Sequence, residues 1–140
     1  MTVLLDTGVV FAFLHANDAR HVEAVELISR TAKREFGQAF ITDHVVDELF
    51  VLARARTRSP ALEDALRRFL PMPKPALRDL AAVSLGTAFL LPTWEVFRQF
   101  RDQGLSFTDA SLIVTLRELK LDCLATFDER LGRIVPRAGQ

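Results

Sequence analysis

Four acidic residues lie in or directly after apolar stretches, where a purely structural carboxylate would gain little: Asp6, Glu48, Asp109 and Asp128. They are spread over most of the chain, so only the fold can bring them together. If it does, their mutual repulsion would destabilise the site without a bound cation. The first hypothesis from the sequence is therefore a metal site.

The remaining residues of ligand type favour a hard cation over zinc. None of the three histidines has a second histidine at a close spacing such as i, i+4, and Cys123 is the only cysteine. Oxygen ligands without histidine or cysteine indicate Mg²⁺ or Mn²⁺. Neither GxGxxG nor GxxxxGK[ST] occurs, which disfavours a glycine loop that binds nucleotides.

Two of the acids have an alternative, structural interpretation. Asp6 and Asp128 each follow a predicted strand and precede a helix or turn, where aspartate serves well as an N-cap. A cap can also be a ligand. For Glu48 the phase of its predicted helix is informative, because it borders the apolar stripe whereas Asp47 lies further toward solvent. A carboxylate beside a buried stripe needs a partner, which favours Glu48.

Asp109 is the most informative of the four. It shares the i, i+3, i+4, i+7 pattern of the apolar residues in 112–116, which predicts that it faces inward. The alternative is a favourable acid at the positive end of a helix, worth under about 1 kcal/mol. Because Thr108 or Ser106 can cap this helix, we expect Asp109 to have no structural role and to act as a ligand.

Length and composition predict one globular domain over residues 1–140. The chain has 49% hydrophobic and 26% charged residues and no net charge, so the overall balance does not favour nucleic acid.

Basic residues gather between Arg54 and Arg78, either as a solvated helix face or as a patch that follows phosphates. No stretch is long enough to span a membrane and no basic leader is present, so we expect a cytoplasmic protein.

The chain alternates predicted strands and helices. Strands are predicted at 2–5, 39–42, 87–91, 122–126 and, briefly, 133–135. Helices are predicted at 9–14, 43–56, 60–70, 94–102 and 108–119, with a weaker one at 76–84. A further helix of about 15 residues is predicted to follow an N-cap at Asn17 or Asp18 and to end at Gly37, and Thr93 is predicted to cap the helix at 94–102.

This alternation indicates an α/β fold, with a parallel sheet between layers of helices. In such sheets ligands bind outside the carboxyl ends of the strands. Asp6 and Asp128 both fall there, so the fold prediction makes neighbours of two residues that are distant in sequence.

In the order of its motifs, the sequence resembles the PIN domain, particularly the small VapC-type toxin ribonucleases. The resemblance covers nearly the whole chain. Its motifs are the strand that ends in Asp6-Thr7, Thr42-x-x-Val45-x-x-Glu48, Ser106-Phe107-Thr108-Asp109-Ala110 and Ala125-Thr126-Phe127-Asp128-x-x-Leu131. Gly8 and Glu129 depart from the pattern, but neither replaces a proposed ligand.

The resemblance implies a Rossmann-like three-layer fold and a metal-dependent endoribonuclease that hydrolyses RNA phosphodiester bonds. The acidic catalytic quartet would be Asp6, Glu48, Asp109 and Asp128. We hypothesise that Asp6 and Asp109 hold the principal Mg²⁺ or Mn²⁺ and that the other two complete or extend the site. Thr7 and Thr126 would orient these carboxylates or a water through hydrogen bonds.

The resemblance also implies an RNA substrate and a cognate antitoxin protein, and we expect a homodimer. Arg54, Arg56 and Arg58 are candidates for binding the RNA backbone. Trp94, Phe97 and Phe100 would pack either in a dimer or in the core.

Other functions compete with this interpretation. A phosphatase with an aspartyl nucleophile is disfavoured, since Gly8 stands where a second acid is expected. The serious alternative is a PIN-like nucleic-acid-binding or assembly module with weak or no hydrolysis.

Overall fold

The computed structural model describes residues 1–72 and 79–140, and all named strands within them belong to one parallel sheet. The strands are β1 (Thr2–Leu5), β2 (Gln38–Thr42), β3 (Leu80–Val83) and β4 (Cys123–Ala125). Their order across the sheet is β3-β2-β1-β4, and every pair is parallel. This confirms the predicted α/β class.

The helices of the described segments occupy the connections between these strands and the end of the chain. They are α1 (Thr7–Leu14), α2 (His21–Ala32), α3 (Asp43–Arg56), α4 (Pro60–Phe69), α5 (Leu90–Gln99), α6 (Phe107–Glu118) and α7 (Glu129–Gly132), with 3₁₀ turns at Thr87–Phe89 and Arg101–Gln103.

The strand order reverses at β1, and this reversal fixes both the layers and the position of the crevice. From β1 the chain moves through β2 to β3 on one side, and it then crosses back to β4 on the other side. Right-handed crossovers therefore place α1–α4 on one face of the sheet and α5 and α6 on the other. The carboxyl ends of β1 and β4 lie together at this reversal, where ligands bind in such sheets.

Strands β1 and β4 form because both of their faces are covered. Val3, Leu4 and Leu5 are fully buried, and β4 is buried along its whole length. Such strands are continuous apolar runs rather than alternating ones. Leu5 is in register with Ala125, so the next residues, Asp6 and Thr126, come side by side.

The third predicted strand is wrong in position. Residues 87–91 begin a 3₁₀ turn and α5, and Leu90 and Leu91 are exposed on that helix instead of buried in a sheet. The strand at the β2 edge of the sheet is instead Leu80–Val83, where a helix over 76–84 was predicted; the part of that helix at 76–78 lies outside the described residues. Its alanine-rich run favours helix locally, and pairing with β2 overrides that preference.

Several predicted element ends also need correction. Helix α2 begins at His21 with Arg20 as its N-cap residue, not after Asn17 or Asp18. It ends at Ala32, well before Gly37, which has a φ of 77°. A Cβ at Gly37 would collide with the Met1 carbonyl, so this glycine permits the close approach of the chain before β2.

Two further predictions about the second half of the chain are wrong. Thr93 lies inside α5 and does not cap a helix. No strand forms at 133–135; instead Arg137 makes a single bridge to Leu124 of β4. Among the aromatic residues considered for a dimer, Trp94 is exposed, whereas Phe97 and Phe100 pack partly against the core.

No helix in the described parts of the chain is long and apolar enough to cross a membrane.

Candidate functional site

Asp6 is both the N-cap of α1 and a wall of the crevice. One oxygen of its carboxylate accepts the Thr7 backbone N–H at 2.7 Å, and the other accepts the Thr126 hydroxyl at 2.6 Å. The residue is only 7% exposed. The capping interpretation is therefore correct, and it does not exclude a ligand role because the cap itself holds the carboxylate at the crevice.

Glu48 is joined to the same region by Thr7. The Thr7 hydroxyl donates to Glu48 Oε2 at 2.6 Å, which links the first turn of α1 to α3. Glu48 is half-buried and its neighbour Asp47 is exposed, as helix phase predicted. Thr42 caps α3 by accepting the Val45 N–H, so the helix begins where its phase places Glu48 at the crevice.

Asp109 forms a capping box at the start of α6. The Ser106 N–H donates to Asp109 Oδ2 at 2.9 Å, and the Asp109 N–H donates to Ser106 Oγ at 3.0 Å. The expectation that Asp109 has no structural role is wrong, because a box needs an acceptor side chain three residues after the cap as well as the cap itself. The box fixes the Asp109 side chain at the rim of the crevice.

Asp128 caps α7 and holds Arg130, a residue that the sequence analysis did not select. Asp128 Oδ1 accepts the Arg130 backbone N–H at 2.9 Å and its Nε at 3.1 Å, while Oδ2 accepts Nη2 at 2.7 Å. Arg130 Nη2 also lies 3.7 Å from Asp109 Oδ2. The only signal in the sequence is an arginine two residues after a capping aspartate.

All four predicted carboxylates line one cleft of about 340 Å³ at the carboxyl ends of β1 and β4. Of the three arginines proposed for RNA, Arg56 lines this cleft. Arg54 instead pairs with Glu63 of α4 at 2.5 Å, and Arg58 has a left-handed backbone with a φ of 49° beyond the end of α3. Thr126 lies behind Asp6, and Thr7 is part of the cleft wall.

The electrostatics of the cleft separate Asp6 from Asp128. Burial raises the pKa of Asp6 to about 7; the negative charges of Asp109 and Glu48 add to this, while hydrogen bonds from Thr126 and Thr7 oppose it. The pKa of Asp128 is lowered, chiefly by its hydrogen bond from the Arg130 side chain. Among the described residues no positive charge offsets that of Asp6, whereas Asp128 is paired with Arg130.

The donor chemistry of the cleft fits a hard divalent cation. Carboxylate oxygens are the ligands that Mg²⁺ and Mn²⁺ prefer, and a cation beside Asp6 would offset the repulsion from Asp109 and Glu48. Among the described residues, however, no group of three or more His, Cys, Asp or Glu side chains is arranged to hold an ion.

Comparisons with known proteins give one family and one fold. The PIN domain profile matches residues 3–135. A VapC ribonuclease from Archaeoglobus fulgidus is 29% identical over 133 residues, which cover 94% of this chain and 80% of that protein.

Two crystal structures share the fold. VapC20 of Mycobacterium tuberculosis, described as a Sarcin-Ricin loop cleaving toxin, matches with a TM-score of 0.78 at 20% identity and covers 94% of both chains. VapBC2 from Rickettsia felis, bound to a DNA fragment from its promoter, matches with a TM-score of 0.65 at 17% identity and covers 96% of this chain and 93% of that one.

The raised pKa of Asp6 predicts a dependence of stability on pH in the metal-free protein. Between about pH 4 and 7 the folded state keeps a proton on Asp6 that the unfolded chain has lost. The free energy of unfolding therefore falls as pH rises through this window. Asp6→Asn removes the charge, keeps a capping side chain, and should stabilise the protein at pH 8 by on the order of a few kcal/mol.

Urea unfolding in EDTA at pH 5 and pH 8 measures this effect. The exposed variant Asp47→Asn is the matched control and should keep the wild-type difference between the two pH values. An Asp6→Asn protein with that same difference would contradict the assignment.

Proposed function

The chain belongs to the PIN domain family, and on that premise we propose that it is a Mg²⁺- or Mn²⁺-dependent endoribonuclease. The observation that carries the proposal is the meeting of Asp6, Glu48, Asp109 and Asp128 in one cleft at the switch point of the sheet. The similarity to a VapC ribonuclease over most of both chains supports RNA as the substrate.

Asp6 and Asp109 are the residues that would hold the ion. Each has its side chain fixed by a hydrogen bond at the start of a helix, and the charge of Asp109 adds to the repulsion that a cation beside Asp6 would offset. When bound, the ion supplies an activated water and neutralises charge on the phosphate. The Asp6–Thr126 hydrogen bond keeps the carboxylate from turning away from the cleft.

Glu48 is suited to orient the attacking water. Thr7 occupies its Oε2, and within the described residues no hydrogen bond is made by Oε1. A carboxylate with one oxygen anchored and one oxygen available can accept a proton from water in a defined direction. A PIN-like module that binds nucleic acid without hydrolysis would need none of this arrangement.

We expect metal-dependent cleavage of a mixed RNA panel by the wild-type protein and its loss in Asp6→Asn and Asp109→Asn. Each variant keeps its capping acceptor and loses only the charge, so kcat/KM should fall at least about 100-fold. Glu48→Gln should also lose activity, while Asp47→Asn, one position away on the same helix, should match the wild type.

The cleavage assay also decides between hydrolysis and binding alone. A wild-type protein that is inert with Mg²⁺ and with Mn²⁺ but still binds RNA would support the non-hydrolytic module. Equal rates in wild type, Asp6→Asn and Asp109→Asn would contradict the proposed site.

Arg56 is the best placed of the proposed RNA-binding arginines. Its guanidinium lies 5.8 Å from the centre of the buried Phe11 ring, and its side chain reaches the cleft wall. Stacking on an aromatic ring fixes the direction of the guanidinium while its N–H groups stay available for phosphate. Arg54 has its charge offset by Glu63, so we propose a smaller contribution from it.

Arg56→Gln should weaken RNA binding and reduce its salt dependence. The affinity falls with salt, and loss of one phosphate contact is expected to make the slope of log affinity against log salt shallower by about 1. Fluorescence anisotropy in EDTA, where no cleavage occurs, measures this slope. Arg54→Gln should change it less, and an equal or larger effect of Arg54→Gln would reverse the assignment.

We further propose that the protein is the toxin of a toxin–antitoxin pair and acts in the cytoplasm. The similarity to VapC proteins supports this, including the fold shared with the Rickettsia felis VapBC2 complex. A homodimer is part of the proposal. The exposed apolar side chains of Leu90, Leu91 and Trp94 on α5 offer a surface for a second copy.

Induced expression of the wild-type chain should arrest growth, and Asp109→Asn expressed to the same level should not. Co-expression of the reading frame next to its gene should restore growth and yield a complex on purification. Unchanged growth with a soluble, RNA-cleaving wild-type protein would indicate a nuclease that is not a toxin.

A further inference from the structure

Arg130 is more firmly held than any other arginine side chain around the cleft. Its Nε and Nη2 donate to the two oxygens of Asp128, and its Nη1 donates to the carbonyls of Gln103 at 3.0 Å and Gly104 at 3.1 Å. Despite these bonds, 40% of the side chain is exposed. A fixed cation therefore faces the cleft from the side of β4.

The same contacts occupy Asp128. Its carboxylate accepts three N–H groups from Arg130, one from the backbone and two from the guanidinium. A bidentate arginine–carboxylate pair is geometrically specific and among the stronger hydrogen-bonded pairs in proteins. A divalent ion at Asp128 would have to displace this bidentate pair, which disfavours it.

Arg130 also forms an ion pair with Asp109, but without a hydrogen bond. The distance of 3.7 Å from Nη2 to Asp109 Oδ2 is beyond a hydrogen bond, and that oxygen already accepts the Ser106 N–H. The guanidinium thus lies between Asp128, both of whose oxygens accept its N–H groups, and Asp109, whose Oδ1 makes no hydrogen bond within the described residues.

We propose that Arg130 serves as the second cation of the cleft, so that one divalent ion suffices and Asp128 is a positioning residue, not a ligand. This inference rests on the proposed nuclease function. The ion would be held by Asp6 and Asp109, and the exposed part of the guanidinium would bind an oxygen of the RNA phosphate. Arginine suits this role because its charge is permanent and its planar N–H groups match phosphate oxygens.

The bonds of Arg130 to the loop before α6 give it a second effect. Gly104 has a left-handed φ of 67°, and its carbonyl and that of Gln103 are both tied to Nη1. This loop leads directly into Ser106, the cap that fixes Asp109. Arg130 therefore connects the position of Asp128 to that of Asp109 without being a ligand itself.

Calorimetric titration of metal-free protein with Mn²⁺ tests the proposed roles. The wild type should bind one Mn²⁺ per chain. Asp128→Asn should keep that stoichiometry with an affinity within about 3-fold, since it removes no ligand, whereas Asp109→Asn should lose at least about 10-fold. Two ions per wild-type chain, or equal losses in Asp128→Asn and Asp109→Asn, would overturn the proposal.

RNA binding in EDTA tests the guanidinium separately from the metal. Arg130→Gln should weaken binding of a single-stranded RNA and lower the salt slope by about 1, while Arg133→Gln, an exposed arginine on the same turn, should lower it less. Arg130→Lys keeps the charge and guards against misfolding of the glutamine variant; it should retain more affinity. Equal binding by the Arg130 and Arg133 variants would overturn the proposal.

The metal titration separates this inference from the proposed nuclease activity. One Mn²⁺ per chain together with no cleavage of any RNA would remove the nuclease function and keep the assignment of Asp128 and Arg130. Two Mn²⁺ per chain with efficient RNA cleavage would keep the nuclease function and overturn the assignment of Asp128 and Arg130. A chain that binds no Mn²⁺ would contradict both.

Discussion

The hydrogen bond from Thr126 to Asp6 is the interaction on which the site depends. It joins the ends of the neighbouring strands β1 and β4, and it exists because their register places Leu5 opposite Ala125. Continuous burial of both strands fixes that register, since a shift would expose apolar side chains or bury the acid deeper. The position of the first carboxylate is therefore set by the hydrophobic core.

This arrangement holds an acid in a poorly solvated position beside other acids, which raises the free energy of its charged form. The pKa of Asp6 rises because burial and the neighbouring Asp109 and Glu48 all disfavour its charge. Asp128 avoids this cost through Arg130, so the four carboxylates are not equivalent. Of these two acids, Asp6 is the one whose charge is less compensated, which supports the proposal that it rather than Asp128 is a metal ligand.

The sequence carried enough information for much of the fold and for the meeting of the four acids. Asp6 and Asp128 follow buried strands, and the phase of α3 separates Glu48 from Asp47. The edge strand was misplaced because local alanine-rich sequence does not reveal pairing with a distant strand. Arg130 was missed because its role depends on the Gln103–Gly104 loop, whose proximity only the tertiary structure creates.

Structural and functional interpretations of these acids are compatible because three of them act at the starts of helices. Asp6 and Asp128 are N-caps, and Asp109 completes a capping box. Capping restricts each side chain to one orientation, which is what a metal or phosphate site needs from its residues before a ligand arrives. It also means that alanine substitutions would combine loss of a cap with loss of charge. Asparagine, which still caps, removes the charge alone and is therefore the substitution that isolates the chemistry of the site.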